Sequence, residues 1–201
     1  MNNIAVILLA AGSSRRMGEK NKLLLPYHGS PMIVHQVEQI IEAGMKDHLI
    51  VVLGHQAEAV KAALPEDITT VFNAQHPSGM TSSIQAGIKL AAPDVDGFMI
   101  CLSDMPRLKA VDYKKVNQVF LEQYPIDPFT IVQPVFHQKE KKNGHPVVFS
   151  RQYKNLLLQH KVPEGCRDII RTYHKQVKEI KMGAAILWDI DTPDDWQRSQ
   201  Q

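Results

Sequence analysis

The sequence predicts an α/β fold, a single domain over residues 1–201 with a mostly parallel sheet between two layers of helices. Two observations predict it. The short apolar runs Ile4–Leu9, His48–Leu53 and Gly97–Leu102 leave no room for a solvated face, as expected of parallel strands buried on both sides. Between them lie stretches whose apolar residues recur every three or four positions, giving the β-α-β-α alternation of a sheet covered on both faces.

The elements follow in order. Ile4–Leu9 is a strand that meets Ala10-Ala11-Gly12. Pro31 to Gly44 is a helix with Ile33, Val34, Val37, Ile40 and Ile41 on its apolar side, Pro at its start and Gly at its end. His48–Leu53 is a strand ended by Gly54, Gln56–Leu64 a helix ended before Pro65, and Thr69–Phe72 a strand. Thr81–Ala92 is a helix with Ile84, Ile88 and Leu90 inward, Gly97–Leu102 a strand, and Lys109–Tyr124 a helix. The second half is less regular. Strands at Thr130–Val135 and Pro146–Phe149 flank a polar turn at Lys139–Gly144, and helices follow near Gln152–Leu158 and Glu164–Tyr173. A last strand, Ala185–Trp188, runs into Asp189-Ile190-Asp191-Thr192-Pro193. No repeat or low-complexity linker interrupts the pattern.

Composition narrows the function. With 44% hydrophobic and 22% charged residues the chain is globular rather than disordered. A net charge of +2 lacks the basic excess of a nucleic-acid binder, and the densest basic run, Lys139, Lys141 and Lys142 around Glu140, reads as a solvated loop. Cys101 and Cys166 lack metal-ligand spacing, which argues against structural zinc and a disulfide framework. Met1-Asn2-Asn3-Ile4 carries no charged leader, and no window approaches the roughly 20 apolar residues of a membrane span. A cytoplasmic protein without nucleic-acid or membrane partners is expected.

Open α/β sheets bind ligands outside the carboxyl ends of their strands. After the first strand come Leu9-Ala10-Ala11-Gly12-Ser13-Ser14-Arg15-Arg16-Met17-Gly18 and then Asn21-Lys22-Leu23-Leu24-Leu25-Pro26. Small residues at 10 to 14 let the backbone approach a ligand and aim N–H groups at it. Arg15, Arg16 and Lys22 add positive charge, Arg as a two-pronged phosphate clamp and Lys as a point charge. A triphosphate needs this chemistry. The spacing of Gly12 and Gly18 fits neither a Walker A loop nor a dinucleotide fingerprint. A plain glycine-rich turn is the alternative.

Asp104, in Ser103-Asp104-Met105-Pro106, stands just past a buried strand, and Asp189 and Asp191 stand past the last one. Magnesium takes oxygen ligands, often one or two carboxylates plus substrate phosphates. Asp104 and Asp191, at neighbouring strand ends, suit that task. Each alone reads equally well as a cap or turn residue, and Asp191 is favoured over Asp189 without being settled. Pro77 to Gly87 joins a strand to a helix, with Gly79 in a tight turn and Thr81, Ser82 and Ser83 where one hydroxyl should cap.

The order Leu-Ala-Ala-Gly-x-Ser-x-Arg-Met-Gly followed by Asn-Lys-Leu-Leu-Leu-Pro resembles the signature of the MobA-like NTP transferases. It is most similar to the molybdenum cofactor cytidylyltransferase branch, the MocA- and PucB-like proteins. The resemblance covers nearly the whole chain. It implies a Rossmann-like nucleotidyltransferase sheet of the glycosyltransferase-A type, with Leu9, Ala10, Ala11, Gly12, Ser13 and Ser14 cradling the triphosphate and Arg16 and Lys22 neutralising it. It implies Asp104 as catalytic magnesium ligand, in a motif that has Gly where this chain has Ser103, and Asp191 as the second ligand. Gly79 to Gly87 resembles the Gly-Met-x-Ser-Ser-x-x-Ala-Gly segment of the cytidylyltransferase branch, which implies CTP and places Gly79, Ser82 and Ser83 near it. Gly54 and Asn73, ending two other strands, are expected to line the same site. Gly144-His145-Pro146 resembles a segment near the acceptor, implying a role for His145. The family's Gly-Asp-x-Gly-Ala-Arg survives only as Gly165-Cys166-Arg167: its Gly-Asp start is lost, while Arg167 could still reach an acceptor phosphate.

The implied reaction is attack by an acceptor phosphate on the α-phosphorus of CTP with loss of pyrophosphate. Mg2+ is the implied cofactor and molybdopterin, as the molybdenum cofactor, the implied acceptor. A molybdenum hydroxylase such as xanthine dehydrogenase is the implied partner. Three alternatives stand beside it: another NTP, a sugar, alditol or isoprenoid-precursor phosphate as acceptor, and a non-catalytic protein that delivers a cofactor to a molybdenum hydroxylase. A nicotinamide dehydrogenase fails for want of the glycine fingerprint.

Overall fold

The first strand, β1 (Ile4–Ala10), sends Ile4, Val6, Leu8 and Ala10 into one hydrophobic core and Ala5 and Ile7 into another. That is the period-two geometry of a strand with both faces covered. In the computed structural model the chain continues through β2 (Pro26–Tyr27), β3 (Ser30–Pro31), α1 (Met32–Glu42), β4 (Leu49–Leu53), α2 (Ala57–Ala63), β5 (Thr69–Phe72), α3 (Met80–Leu90) and β6 (Gly97–Leu102). Then come α4 (Ala110–Gln123), β7 (Ile131–His137), β8 (Lys141–Asn143), β9 (Val147–Ser150), α5 (Lys154–Gln159), α6 (Arg167–Thr172), β10 (Val177–Lys181) and α7 (Pro193–Ser199). The structure describes residues 3–18, 20–138 and 140–200. Met1 and Asn2 of the N-terminal segment, Lys139 of the basic run and the side chain of Arg15 lie outside the described residues.

The main sheet runs β10-β7-β9-β6-β1-β4-β5, with β8 added beside β7, and β2 and β3 form a separate small hairpin. Within the main sheet, β9 and β8 run against the other strands. Helices α1, α2 and α4 supply Ile33, Val37, Val60, Tyr113 and Phe120 to one core; α3, α5 and α6 supply Ile84, Ile88, Leu157 and Ile169 to the other. The expected three-layer α/β architecture is therefore present. Helix α1 ends as its glycine foretold: Gly44 N–H bonds the Ile41 carbonyl (2.8 Å) and Met45 N–H the Ile40 carbonyl (3.3 Å), with Gly44 at φ 81°. This paired closure of orphan carbonyls is a Schellman motif.

Two expectations in the second half are corrected. Ala185–Trp188 is not a strand. Ala184–Leu187 forms a 3₁₀ turn whose Ile186 is buried in the first core, so this apolar run serves packing and pairs with no strand. The strand at this end is β10, which pairs parallel with β7 at the sheet edge. The polar stretch before Gly144 is likewise not all turn, since Lys141–Asn143 pairs with β7 as β8. No helix among the described residues is long and apolar enough to cross a membrane.

A buried polar network fixes the segment after β6. Gln36 of α1, fully buried, donates from Nε2 to the Met105 carbonyl (2.8 Å) and accepts at Oε1 from the Tyr113 hydroxyl (2.7 Å). Gln39 Oε1 accepts from Ala110 N–H at 3.0 Å. Replacing Gln36 with Leu strands two buried polar groups, each costing on the order of 1–3 kcal/mol. A loss of about 3 kcal/mol is expected, read as a lower urea midpoint at unchanged slope.

Candidate active site

β1 and β6 pair in parallel, Leu9 opposite Leu102, so the loop after β1 and Asp104 after β6 emerge side by side at the carboxyl rim. β1 is also the strand at which the winding reverses, from β4 and β5 on one side to β6 on the other, the place where such sheets bind ligands. Ser103 closes the junction: its hydroxyl donates to the Leu9 carbonyl at 2.6 Å, a bond that a glycine at this position could not make. Beyond it the glycine loop turns at Ser14 (φ 49°), whose hydroxyl accepts from Lys22 N–H at 3.3 Å. The loop thus folds back and brings Lys22 to the rim.

Leu9, Gly12, Ser13, Ser14, Arg16, Lys22, Ser103, Asp104 and Asp191 line one cavity of about 330 Å³. Lys22 Nζ lies 2.6 Å from Asp104 Oδ2 and 2.9 Å from Asp191 Oδ1, and Arg16 Nη2 lies 2.6 Å from Asp191 Oδ2. Burial alone would lower the Lys22 pKa, but the two carboxylates outweigh it and raise it. Burial alone would raise Asp191, but Lys22 and Arg16 outweigh it and hold its carboxyl below the usual range. Asp189 moves the other way, raised by burial and then by the carboxylates of Asp191 and Asp104. Asp104 Oδ1 is buried with no hydrogen-bond partner. Such an atom costs free energy unless a ligand satisfies it, and a cation is such a ligand. Two carboxylates beside the glycine loop fit a magnesium-like ion, which prefers oxygen ligands and often takes one or two carboxylates.

Asp191 reaches this rim by an unexpected route. After β10, at the far edge, residues 182–192 cross back over the ends of β9 and β6. This strap is tied by His145 N–H to the Ile186 carbonyl (3.1 Å) and by Ile190 N–H to the Asp104 carbonyl (2.9 Å). Ile190 is buried with Tyr27 and Met32, against which Trp188 and Trp196 pack, and the Arg107 guanidinium stacks 3.5 Å over the Trp188 ring. α7 then opens on a capping box. Thr192 and Asp195 bond each other's backbone N–H, and Asp195 Oδ2 also accepts from Asp191 N–H at 3.3 Å.

The other expected residues sit around this cavity without lining it. Ala10 and Ala11 are buried beneath the loop. Gly54 lies against Ala11, where an added Cβ would come within 2.7 Å, and His55 N–H bonds the Ala11 carbonyl at 3.2 Å. Asn73 Nδ2 donates to the hydroxyls of Ser82 (2.9 Å) and Ser83 (3.0 Å), binding the end of β5 to the start of α3. The expected hydroxyl cap of α3 is absent. Gly79, at φ 118°, is the N-cap, and Ser82 donates to the carbonyls of Gln75 and Gly79. Thr81 instead clamps the loop before α6, donating to the Val162 carbonyl and accepting from Gly165 N–H. His145 stands close enough to Asp104 to feel its charge; burial lowers its pKa, and its Nδ1 has no partner. Sequence reading missed Gln36, Arg107 and the strap contacts. For Gln36 the signal was present, since it falls on the apolar face with Ile33 and Ile40.

The MobA-like NTP transferase domain family matches residues 6–177. Nicotine blue oxidoreductase of Paenarthrobacter nicotinovorans is 38% identical over 103 residues, 51% of this chain and 50% of that protein. Bifunctional protein GlmU of Desulfotalea psychrophila is 35% identical over 107 residues, 52% of this chain and 31% of that protein. The matches thus span half or less of these relatives. Rv0371c from Mycobacterium tuberculosis H37Rv superposes with a TM-score of 0.83 at 27% identity over 98% of this chain and 97% of its own. Its complex with manganese superposes with a TM-score of 0.76 at 25% identity over 99% and 98%. The family match takes in the glycine loop, Lys22 and Asp104, while Asp191 lies beyond it. The chain belongs to the MobA-like NTP transferase family.

Proposed function

We propose that the chain moves CMP from CTP to the phosphate of molybdopterin, as the molybdenum cofactor, with Mg2+ bound and pyrophosphate released. One observation carries the reading: Lys22 bridges Asp104 and Asp191 in the cavity beneath the glycine loop. CTP is favoured by the resemblance of Gly79–Gly87, and a divalent ion by the manganese complex of the mycobacterial relative.

Asp104 and Asp191 would hold the cation, which would supply Lewis-acid charge to the phosphates. Backbone N–H groups of Gly12, Ser13 and Ser14 cradle the phosphates, and Arg16 and Lys22 stabilise charge developing on pyrophosphate. An acceptor phosphate is already nucleophilic at neutral pH, so positioning replaces a general base. Gly54, Asn73, Gly79, Ser82 and Ser83 shape the nucleoside side, and His145 the acceptor side.

The oxidoreductase relative raises a second reading, redox chemistry on the same scaffold. The paired carboxylates and cations favour transfer. Pyrophosphate release, assayed with CTP, GTP, ATP and UTP with and without molybdenum cofactor, tests both. Release with CTP only when the cofactor is present is expected. Release from none of the four nucleotides defeats the transferase reading, and preference for another nucleotide defeats the CTP assignment.

A further inference from the structure

The cavity is closed by its own charges. Lys22 pairs with both Asp104 and Asp191, and Arg16 with Asp191, so two cations and two carboxylates cancel. The groups suited to a triphosphate are held by the groups suited to a metal. A divalent ion arriving alone meets carboxylates already bonded to Lys22 and Arg16. A polyphosphate arriving alone meets cations already bonded to carboxylates. Either ligand alone must break these bonds, and the one that does so frees the groups the other needs.

Building on the metal and nucleotide reading above, we propose that Arg16, Lys22, Asp104 and Asp191 form an ion-pair lock that makes divalent cation and polyphosphate bind as a pair. Linkage requires the coupling to be reciprocal: each ligand raises the affinity for the other by the same factor. The two arms differ in strength. The Lys22 side chain is 11% exposed and that of Arg16 68%, so solvent screens the Arg16 pair far more. Lys22 is the main bolt, and Arg16 the latch that opens to solvent.

The lock predicts that removing a phosphate-binding cation improves metal binding. Mn2+ affinity of the full chain without nucleotide is read by electron paramagnetic resonance of the free ion. Arg16→Gln is expected to tighten Mn2+ about threefold and Lys22→Gln about tenfold, and Asp104→Asn to lose it. Lys20→Gln removes the same charge from the same loop but belongs to none of these three ion pairs, and is expected to leave the affinity unchanged. In the reverse direction, Asp191→Asn is expected to tighten metal-free binding of inorganic pyrophosphate about threefold by calorimetry. Should Lys22→Gln fail to fold, Arg16→Gln and Asp191→Asn carry the test. The lock is overturned if Arg16→Gln leaves Mn2+ affinity unchanged or weaker, if Lys20→Gln matches it, or if Asp191→Asn leaves pyrophosphate binding unchanged. Mn2+ bound by the native chain but not by Asp104→Asn would then leave the metal site standing without the lock. Mn2+ bound by no variant would remove both.

Discussion

Replacing Asp104 with Asn is expected to slow pyrophosphate release by about a thousandfold or more while the fold survives. Asn is isosteric but carries no charge. It removes half the carboxylate charge facing Lys22, where Oδ2 now lies 2.6 Å from Nζ, and replaces the buried, partnerless Oδ1 at the place proposed for the cation. Loss of a single preorganised electrostatic group typically costs 10²–10³ in rate, and Asp104 would remove a metal ligand and a Lys22 partner together. Stability should change little, because Asn keeps the shape of the side chain and Lys22 keeps its pair with Asp191 at 2.9 Å. Rate and denaturation midpoint should therefore separate. Near-normal turnover in this variant would remove Asp104 from the chemistry and the metal reading with it.

The half of the fold that places Asp104 was legible because its strands are buried on both faces, and a run such as Phe98-Met99-Ile100-Cys101 has no other plausible use. The far edge was not. β10 reads Val-Lys-Glu-Ile-Lys, with Ile180 alone buried, because an edge strand keeps one face in water. β8 is exposed throughout and carries no apolar signal at all. The compact apolar run Ala185–Trp188 then drew the strand assignment that belonged to residues 177–181. The candidate site was legible at the glycine loop, Lys22 and Asp104, where the chemistry follows a strand directly. Asp191 was expected at the end of a last strand; it comes to the cavity instead on the strap, which is set by contacts spread over Gly144, Arg107, Tyr27 and Met32. Contacts so distant in sequence leave no periodicity to read.

The strap makes the second large prediction. Gly144 N–H bonds the Pro134 carbonyl at 2.9 Å, and its carbonyl accepts from Gln133 Nε2 at 2.6 Å, so its backbone cannot move freely. A Cβ added there would lie 2.4 Å from the Ile186 carbonyl oxygen and 2.6 Å from Ile186 Cγ1. Both neighbours are stiff, one a backbone atom and the other a β-branched side chain in the core, so the strap itself must give way. Four residues on, Ile190 N–H holds the Asp104 carbonyl, and Asp191 follows. Gly144→Ala is therefore expected to displace Asp191 and cut turnover about a hundredfold, the usual cost of misplacing a catalytic group by an ångström. The overpacking itself should cost about 1–3 kcal/mol. Adding Ile186→Ala removes the Cγ1 contact but not the carbonyl one, so turnover should return only in part. Full turnover in Gly144→Ala alone would mean that Asp191 does not depend on the strap for its place at the rim.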